Sequence, residues 1–344
     1  MSLLIHEYTP KTIDDIIFHK DIYKRLQLMS MDGEIPHIIF HGLAGSGKKT
    51  MINIFLRMIY GDSIDNMKNS DFNIMGSGNK LRKETFLHSD NHIVINPSGT
   101  NFDRYIVHEI VKTYAETLTI SQAQNNNSKF KIIQISNLDN LSHSAQTSLR
   151  RMIETNSERC RFIMWCNNLS NVIDPLKSRC VSIRIPKPSY RDLFAFNMHI
   201  CSLKNKFLSL DEIYKITLKS EQNIKYNLWG LENKFLNLNN KHPIDIVIDT
   251  IIEKIMDSEN NIENILEIRN NFYKSWITQF EGIHIFNELL KKILEQKNIS
   301  EICKIHIILN TANIEYNMLR GRRVIIHFDR LIMVIIYLLQ KYKF

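Results

Sequence analysis

Gly42-Leu43-Ala44-Gly45-Ser46-Gly47-Lys48 has the spacing G-x-x-x-x-G-K, a pattern whose chemistry is the cradling of phosphate. It follows the apolar run HIIF and opens a helical pattern at Lys48, the strand, loop and helix order that this chemistry requires. Its glycines let backbone N–H groups converge on phosphate oxygens. The helix N-terminus adds the positive end of its dipole, and Lys48 reaches the β and γ phosphates. A hydrolysing site places Ser or Thr next, so that its hydroxyl ligates magnesium. Lys49 stands there instead, and an ammonium has no lone pair for a cation. Thr50 arrives one residue late, about 100° further round the helix, which suits it to the α-phosphate.

A second apolar strand, Lys131-Ile132-Ile133-Gln134-Ile135, should end in Asp and then Glu if the site hydrolyses nucleotide. The Asp would hold magnesium. The Glu would polarise the attacking water, a role worth on the order of 10²–10⁴ in rate. Ser136 and Asn137 occupy the two places. With Lys49 they predict a site that binds ATP or ADP, with magnesium in question, and does not turn it over efficiently.

The elements that must position these residues alternate. From Pro36 to Pro188, HIIF, HIVIN, KIIQIS, RFIMWC and VSIRI read as strands separated by helical patterns, an α/β arrangement with a parallel sheet. From Ser189 to about Asn240 the spacing is helical, which predicts a small lid, and NLNNKHP reads as a linker. Beyond Pro243, IDIVIDTIIEKIM, IHIFNELLKKILEQ, EICKIHIILNTANIEYNML and HFDRLIMVIIYLLQKY predict an all-helical domain. The expected domains are therefore 1–188, 189–240 and 241–344. The polar tract Ser121 to Lys129 reads as an exposed loop.

Composition limits the functions available. Lys and Arg outnumber Asp and Glu by 44 to 36, so the chain carries +8 and admits an anionic partner. Five cysteines without a C-x-x-C pair suggest neither a zinc ribbon nor a disulfide framework, and fit a reducing intracellular setting. The start, MSLLIHEYTPK, reads as neither signal nor transit peptide. Leu331 to Leu339, the most apolar stretch, is about half the length a bilayer requires and reads as a core helix, so no membrane partner is expected. Arg104, His108 and Lys112 recur at helical spacing and could track nucleic-acid phosphates; a solvated face is the plain alternative. Without an aromatic stacking pattern, such binding would be largely independent of sequence.

Several segments together resemble the small subunits of replication factor C, of the AAA+ family, and in particular the eukaryotic one whose loop also reads G-K-K-T. They are Tyr8 and Pro10, IPHIIFHGLAGSGKKT, Asn96-Pro97-Ser98, LSHSAQTSLRRMIE, CNNLSNVI, SRCVSIRIPKPS and the last stretch from NIEYNMLRGRR onward. The resemblance implies an AAA+ P-loop domain, a helical lid and an all-α collar that joins five subunits in a ring. Its implied partners are sibling subunits in a hetero-pentamer, a ring-shaped sliding clamp and primer–template DNA. The implied setting is the nucleus for a cellular eukaryotic source, or a cytoplasmic replication site for a viral one.

The resemblance also assigns residues. Tyr8 and Pro10 would border the adenine, although Glu7 and Thr9 replace the family's usual Lys and Arg. Asn167 would be a polar sensor of the γ-phosphate; an Asn at a strand end also reads simply as the cap of the next turn. Lys225 stands at the lid's sensor arginine and lacks its planar fork. Arg179, within Ser178-Arg179-Cys180, would reach a neighbouring subunit's γ-phosphate. The helix of Arg104, His108 and Lys112, with His143 and Arg150 or Arg151, would face the central channel. A free-standing P-loop ATPase or helicase loader and a nucleotide-free scaffold are the competing readings. Turnover by the purified chain and its nucleotide content separate them.

Overall fold

Runs of β-branched and aromatic residues flanked by turn formers give strands, and where helices cover both faces those strands become apolar throughout. In the computed structural model, residues 4–13, 15–76, 81–97, 102–116, 130–236, 243–256, 262–277, 282–296, 299–320 and 324–342 are described. They fall into two compact units, Met1–Leu238 and Asn239–Phe344. Ser98, the tract 121–129 and residues 237–242 of the expected linker lie outside the described residues.

Among the described residues of the first unit, one sheet contains β1 (Ile38–His41), β2 (Lys68–Met75), β3 (Leu81–His88), β4 (His92–Ile95), β5 (Lys131–Ile135), β6 (Cys160–Cys166) and β7 (Val181–Arg184). The order is β2-β3-β4-β5-β6-β1-β7. The five strands expected from the sequence pair in parallel, with β1 between β6 and β7. The hairpin of β2 and β3 is an addition to that pattern. It pairs antiparallel from Lys68 opposite His88 to Met75 opposite Leu81 and extends the sheet at one edge. Its strands are mostly polar and bury only Ile74 and Phe86, so they lack the apolar density of the central strands.

The first unit's helices are α1 (Leu4–Glu7), α2 (Lys20–Met31), α3 (Lys48–Tyr60), α4 (Asp103–Glu116), α5 (His143–Thr155), α6 (Asp174–Lys177), α7 (Tyr190–Leu203), α8 (Leu210–Lys219) and α9 (Ile224–Phe235). On one side of the sheet Ile106, Val107, Ile110 and Val111 of α4 and Leu149 and Ile153 of α5 join a core with Ile133 and Phe162. On the other, Tyr23 and Leu26 of α2 and Met51, Ile52, Phe55 and Leu56 of α3 pack with Ile38, Phe40 and Ile163. The two faces bury different residues of the same strands, as side-chain alternation requires.

Helices α7 to α9 form a separate cluster around Phe196, Ile200, Ile213, Leu228 and Leu231, and Leu4 of α1 completes it. Each helix starts on a polar cap: Ser189, Ser209 in a capping box with Glu212, and Asn223. Asn197 donates to Thr217 Oγ1 and to Asn227 Oδ1, both at 3.0 Å, and Asn227 donates back to Asn197 Oδ1 at 2.5 Å. These buried amides satisfy one another and fix how the three helices meet.

The second unit is helical: α10 (Pro243–Met256), α11 (Ile262–Ile277), α12 (Gly282–Leu294), α13 (Glu301–Arg320) and α14 (Val324–Lys341). Four match the expected patterns, and α11 adds a fifth. Phe328 of α14 stacks on Phe272 of α11 at 3.8 Å and meets Phe286 of α12 edge-on at 6.1 Å. Arg269 grips Asp329 with bonds of 3.0 and 2.6 Å. Leu331, Ile332 and Ile335 are buried here, as expected of a core helix. No described helix is long and apolar enough to cross a membrane. Helix α13 buries Cys303, Ile307, Ile314 and Met318, while Ile302, Ile305, Leu309 and Tyr316 on its outer side are exposed.

Candidate nucleotide-binding site

The glycine loop lies between β1 and α3, as its pattern demands. Gly45 and Gly47 have φ of 77° and 92°, and Gly47 caps α3. Any side chain at those angles would be strained. A Cβ on Gly42 would come within 2.1 Å of the Ile185 carbonyl, and one on Gly45 within 2.1 Å of Asn223 Oδ1. The loop is thus pressed between the end of β7 and the cap of lid helix α9. The amide of Ile224 donates to Gly45 O at 3.1 Å, joining lid to loop.

Lys48 is 5% exposed. Its Nζ donates to Gly42 O at 2.6 Å and Leu43 O at 2.8 Å, and lies 5.5 Å from the centre of the Trp165 ring. Loop carbonyls thus hold the ammonium where phosphate oxygens would be stronger acceptors. Ser46 Oγ is buried with no hydrogen-bond partner among the described residues, an unmet group inside the loop that a ligand oxygen could satisfy. Burial lowers the pKa of nearby His19, which caps α2 with φ of 59°, despite the opposing pull of Asp192.

Lys49 is exposed and Thr50 half-buried on the first turn of α3, a turn without an acidic residue. Ser136, 6% exposed, directly follows β5, its amide bonded to Ile95 O at 2.9 Å. Asn137 follows with φ of 46° and opens the next turn. That turn carries Asp139, whose Oδ2 accepts the amides of Asn167 and Asn168 at 3.0 Å each. Gly42 N donates to Cys166 O at 3.3 Å, so the end of β6 bearing Asn167 is tied directly to the loop. Burial pushes the Cys166 thiol up to about 12, which keeps it protonated and unreactive.

Magnesium prefers an octahedron of oxygens, usually including one or two carboxylates. The positions that supply it in P-loop sites carry Lys49, Ser136 and Asn137, and among the described residues no group of three His, Cys, Asp or Glu could hold a metal. Asp139, one turn on, is a lone carboxylate with Oδ2 already on two amides, so the donor set falls short of the ion's octahedron.

Tyr8 packs with the lid cluster, where burial raises its pKa, and Lys204 Nζ sits 5.8 Å from its ring centre while pairing with Glu7 at 2.5 Å. Pro10 is half-buried just beyond. Lys225 is exposed on the first turn of α9, its amide capped by Asn223 Oδ1 at 3.0 Å. Arg179 belongs to another surface. Its Nε lies 2.6 Å from Glu154 Oε1, and its Nη1 donates to Pro175 O at 2.8 Å and Ser178 Oγ at 3.3 Å. Arg150 Nε approaches the same Glu154 oxygen at 3.9 Å. Arg104, His108 and Lys112 are exposed along one face of α4, opposite the buried Ile106 and Ile110; His108 Nδ1 lies 3.4 Å from Glu109. His143 is exposed on the first turn of α5, with Arg150 half-buried and Arg151 exposed near its end.

Sequence reasoning passes over Asn223, Asp139, Glu154 and Gln146. The Gln146 side chain donates to Leu141 O and Asn171 O, both at 3.1 Å, and accepts from Ile173 N at 2.9 Å. Its place among Ala145, Leu149 and Ile153 on the buried face of α5 is the signal that could have found it.

A mainly parallel sheet with its phosphate loop after β1, the strand that leads into Asn167 beside it, and a helical lid resting on the loop define a P-loop protein of the AAA+ type. A family model described as DNA polymerase III, delta subunit, matches residues 18–189. A protein of Acanthamoeba polyphaga mimivirus described as a replication factor C small subunit is 34% identical over 323 residues, covering 92% of this chain and 86% of that one. Replication factor C subunit 3 of Arabidopsis thaliana is 29% identical over 340 residues, 95% and 94% of the two chains. The RuvB Holliday junction branch migration motor of Thermotoga maritima aligns at TM-score 0.47 and 15% identity over 84% and 86% of the chains. The chain belongs to the family of replication factor C small subunits.

Proposed function

We propose that this chain is a subunit of a replication factor C-like clamp loader that holds ATP or ADP at its own site without efficient hydrolysis. It lends Arg179 to a neighbouring subunit's site. The observation that carries the first part is an intact loop, Gly42 to Lys48, beside a degenerate catalytic set, Lys49, Ser136 and Asn137. Binding keeps its backbone cradle and lysine; the groups for metal ligation and water activation are replaced.

The division into 1–188, 189–240 and 241–344 is part of the proposal, the last segment being a collar shared with sibling subunits in a hetero-pentamer. The exposed stripe Ile302, Ile305, Leu309 and Tyr316 supports it, because a helix apolar on both sides calls for a second partner. Primer–template DNA would lie along Arg104, His108 and Lys112, with His143 and Arg150 or Arg151, and a sliding clamp completes the set of partners. The setting is intracellular, nuclear for a cellular source or a cytoplasmic replication site for a viral one.

Assembly with sibling subunits, counting of bound nucleotide and steady-state hydrolysis by the purified chain test this reading. Bound nucleotide with negligible turnover is expected. A turnover near 1 per second or more, within the ordinary range of competent enzymes, would make the chain an active ATPase in its own right.

A further inference from the structure

A phosphate loop without metal ligands selects the form in which its nucleotide arrives. We propose that the site takes its nucleotide free of divalent metal, with Lys49 supplying at the phosphates part of the positive charge that magnesium supplies in other P-loop sites. The proposal rests on the nucleotide-binding reading above and specifies the ligand's form.

Three observations carry it. The hydroxyl that would ligate the metal is replaced by a cation: Lys49 adjoins Lys48 on the first turn of α3, a turn without an acid, and like charge there repels a divalent ion. The acid that would compensate is missing at the end of β5, where Ser136 is neutral and Asn137 offers an amide. The carboxylate in the following turn, Asp139, gives Oδ2 to the amides of Asn167 and Asn168, and its Oδ1 is buried without a hydrogen-bond partner among the described residues, so a single carboxylate oxygen is left where a metal site would draw on several oxygens.

The charge is instead built into the chain. Lys48 is buried beneath the loop, Lys49 is exposed beside it, and Lys225 stands on the lid helix whose cap, Asn223, touches Gly45. Two lysines on the first turn of α3, with a third on the lid helix whose cap touches the loop, suit the full negative charge of a bare diphosphate or triphosphate. A metal-bound nucleotide brings less negative charge and a hydrated cation for which Lys49 has no lone pair. Magnesium in solution therefore competes for the nucleotide and does not assist its binding.

The test is a titration of the purified full chain with fluorescently labelled ADP, in EDTA and again in excess magnesium. Affinity in EDTA equal to or tighter than in magnesium is the expected result. Lys49→Thr, a change at an exposed position, should weaken metal-free binding about tenfold, the worth of one charge-assisted hydrogen bond. Lys49→Thr combined with Ser136→Asp should make binding depend on magnesium. Affinity tenfold weaker in EDTA than in magnesium for the unaltered chain overturns the proposal. So does a Lys49→Thr chain that binds in EDTA like the parent. Absence of binding in both media, by a chain shown folded through its cooperative unfolding, instead removes the nucleotide-binding reading and this proposal with it.

Discussion

Replacing Arg179 by Ala separates a structural role from a catalytic one, because the two predict losses of very different size. In the chain itself the guanidinium is held by Glu154 at 2.6 Å and by the Pro175 carbonyl at 2.8 Å. The paired side chains are 37% and 43% exposed, so solvent screens the pair and its worth is about 0–1 kcal/mol. A loss of that size lowers the melting temperature of a chain this long by only about 2–4 °C. An arginine delivered to a neighbour's γ-phosphate is worth on the order of 10³–10⁵ in rate at the site it serves. Arg179→Ala should therefore leave folding and assembly nearly intact, silence one site of the assembled loader and impair clamp loading. Arg179→Lys should rescue little, for want of the planar fork. The assays are differential scanning fluorimetry, co-purification of the subunits, and ATP hydrolysis by the complex with clamp and DNA. Hydrolysis and loading at the unaltered level by the Ala complex, together with their abolition by Lys48→Ala in this chain, would refute the reasoning and make this subunit the motor.

Three further outcomes are expected. Gly45→Ala, at a φ of 77° with a Cβ 2.1 Å from Asn223 Oδ1, should push the lid off the loop and reduce nucleotide affinity at least tenfold by calorimetry, while a change at exposed Lys225 disturbs the lid far less. Arg104→Ala with Lys112→Ala should weaken DNA binding by the assembled loader alike across sequences and flatten its salt dependence by about one unit of slope for each phosphate no longer neutralised; an unchanged slope assigns that face to solvent. His37 and His92 are each held down to about 4, chiefly by burial, with Arg161 adding to the effect on the first and His88 on the second. Both stay neutral in the fold, whereas the unfolded chain takes up their protons below an ordinary value of 6.5. Stability owed to them is therefore full above pH 6.5 and is lost progressively as pH falls toward 4. His92→Gln should make the fall in urea midpoint over that window shallower.

The parallel strands are legible because β1, β5 and β6 are apolar runs bounded by turns, and the loop is legible because glycine spacing follows directly from how a backbone meets phosphate. The hairpin of β2 and β3 is not. Lys68, Asn69, Ser70 and Asp71 read as surface, and only pairing with β3 makes them a strand. Within the site, the identities at Lys49, Ser136 and Asn137 can be read because each replaces a group of known chemistry. Asn223 cannot be read that way. Its contact with Gly45 joins residues far apart in the chain, and an Asn before a helix announces a cap but not what the cap touches. Glu154 is half visible, four residues after Arg150 on α5, whereas its shorter bond to Arg179 exists only because α6 returns the chain to that helix.

The outer stripe of α13 bears on how this protein has to be made. Ile302, Ile305, Leu309 and Tyr316 are each more than half exposed in the lone chain, and such a surface associates with whatever apolar surface it meets. On the proposed assembly, a copy synthesised in excess of its partners would clump or fall to chaperones and proteases, and the supply of siblings would set how much of it persists. For the bench, this argues for co-expression over solitary production. For the cell, the proposed assembly would make the same four side chains a check on stoichiometry.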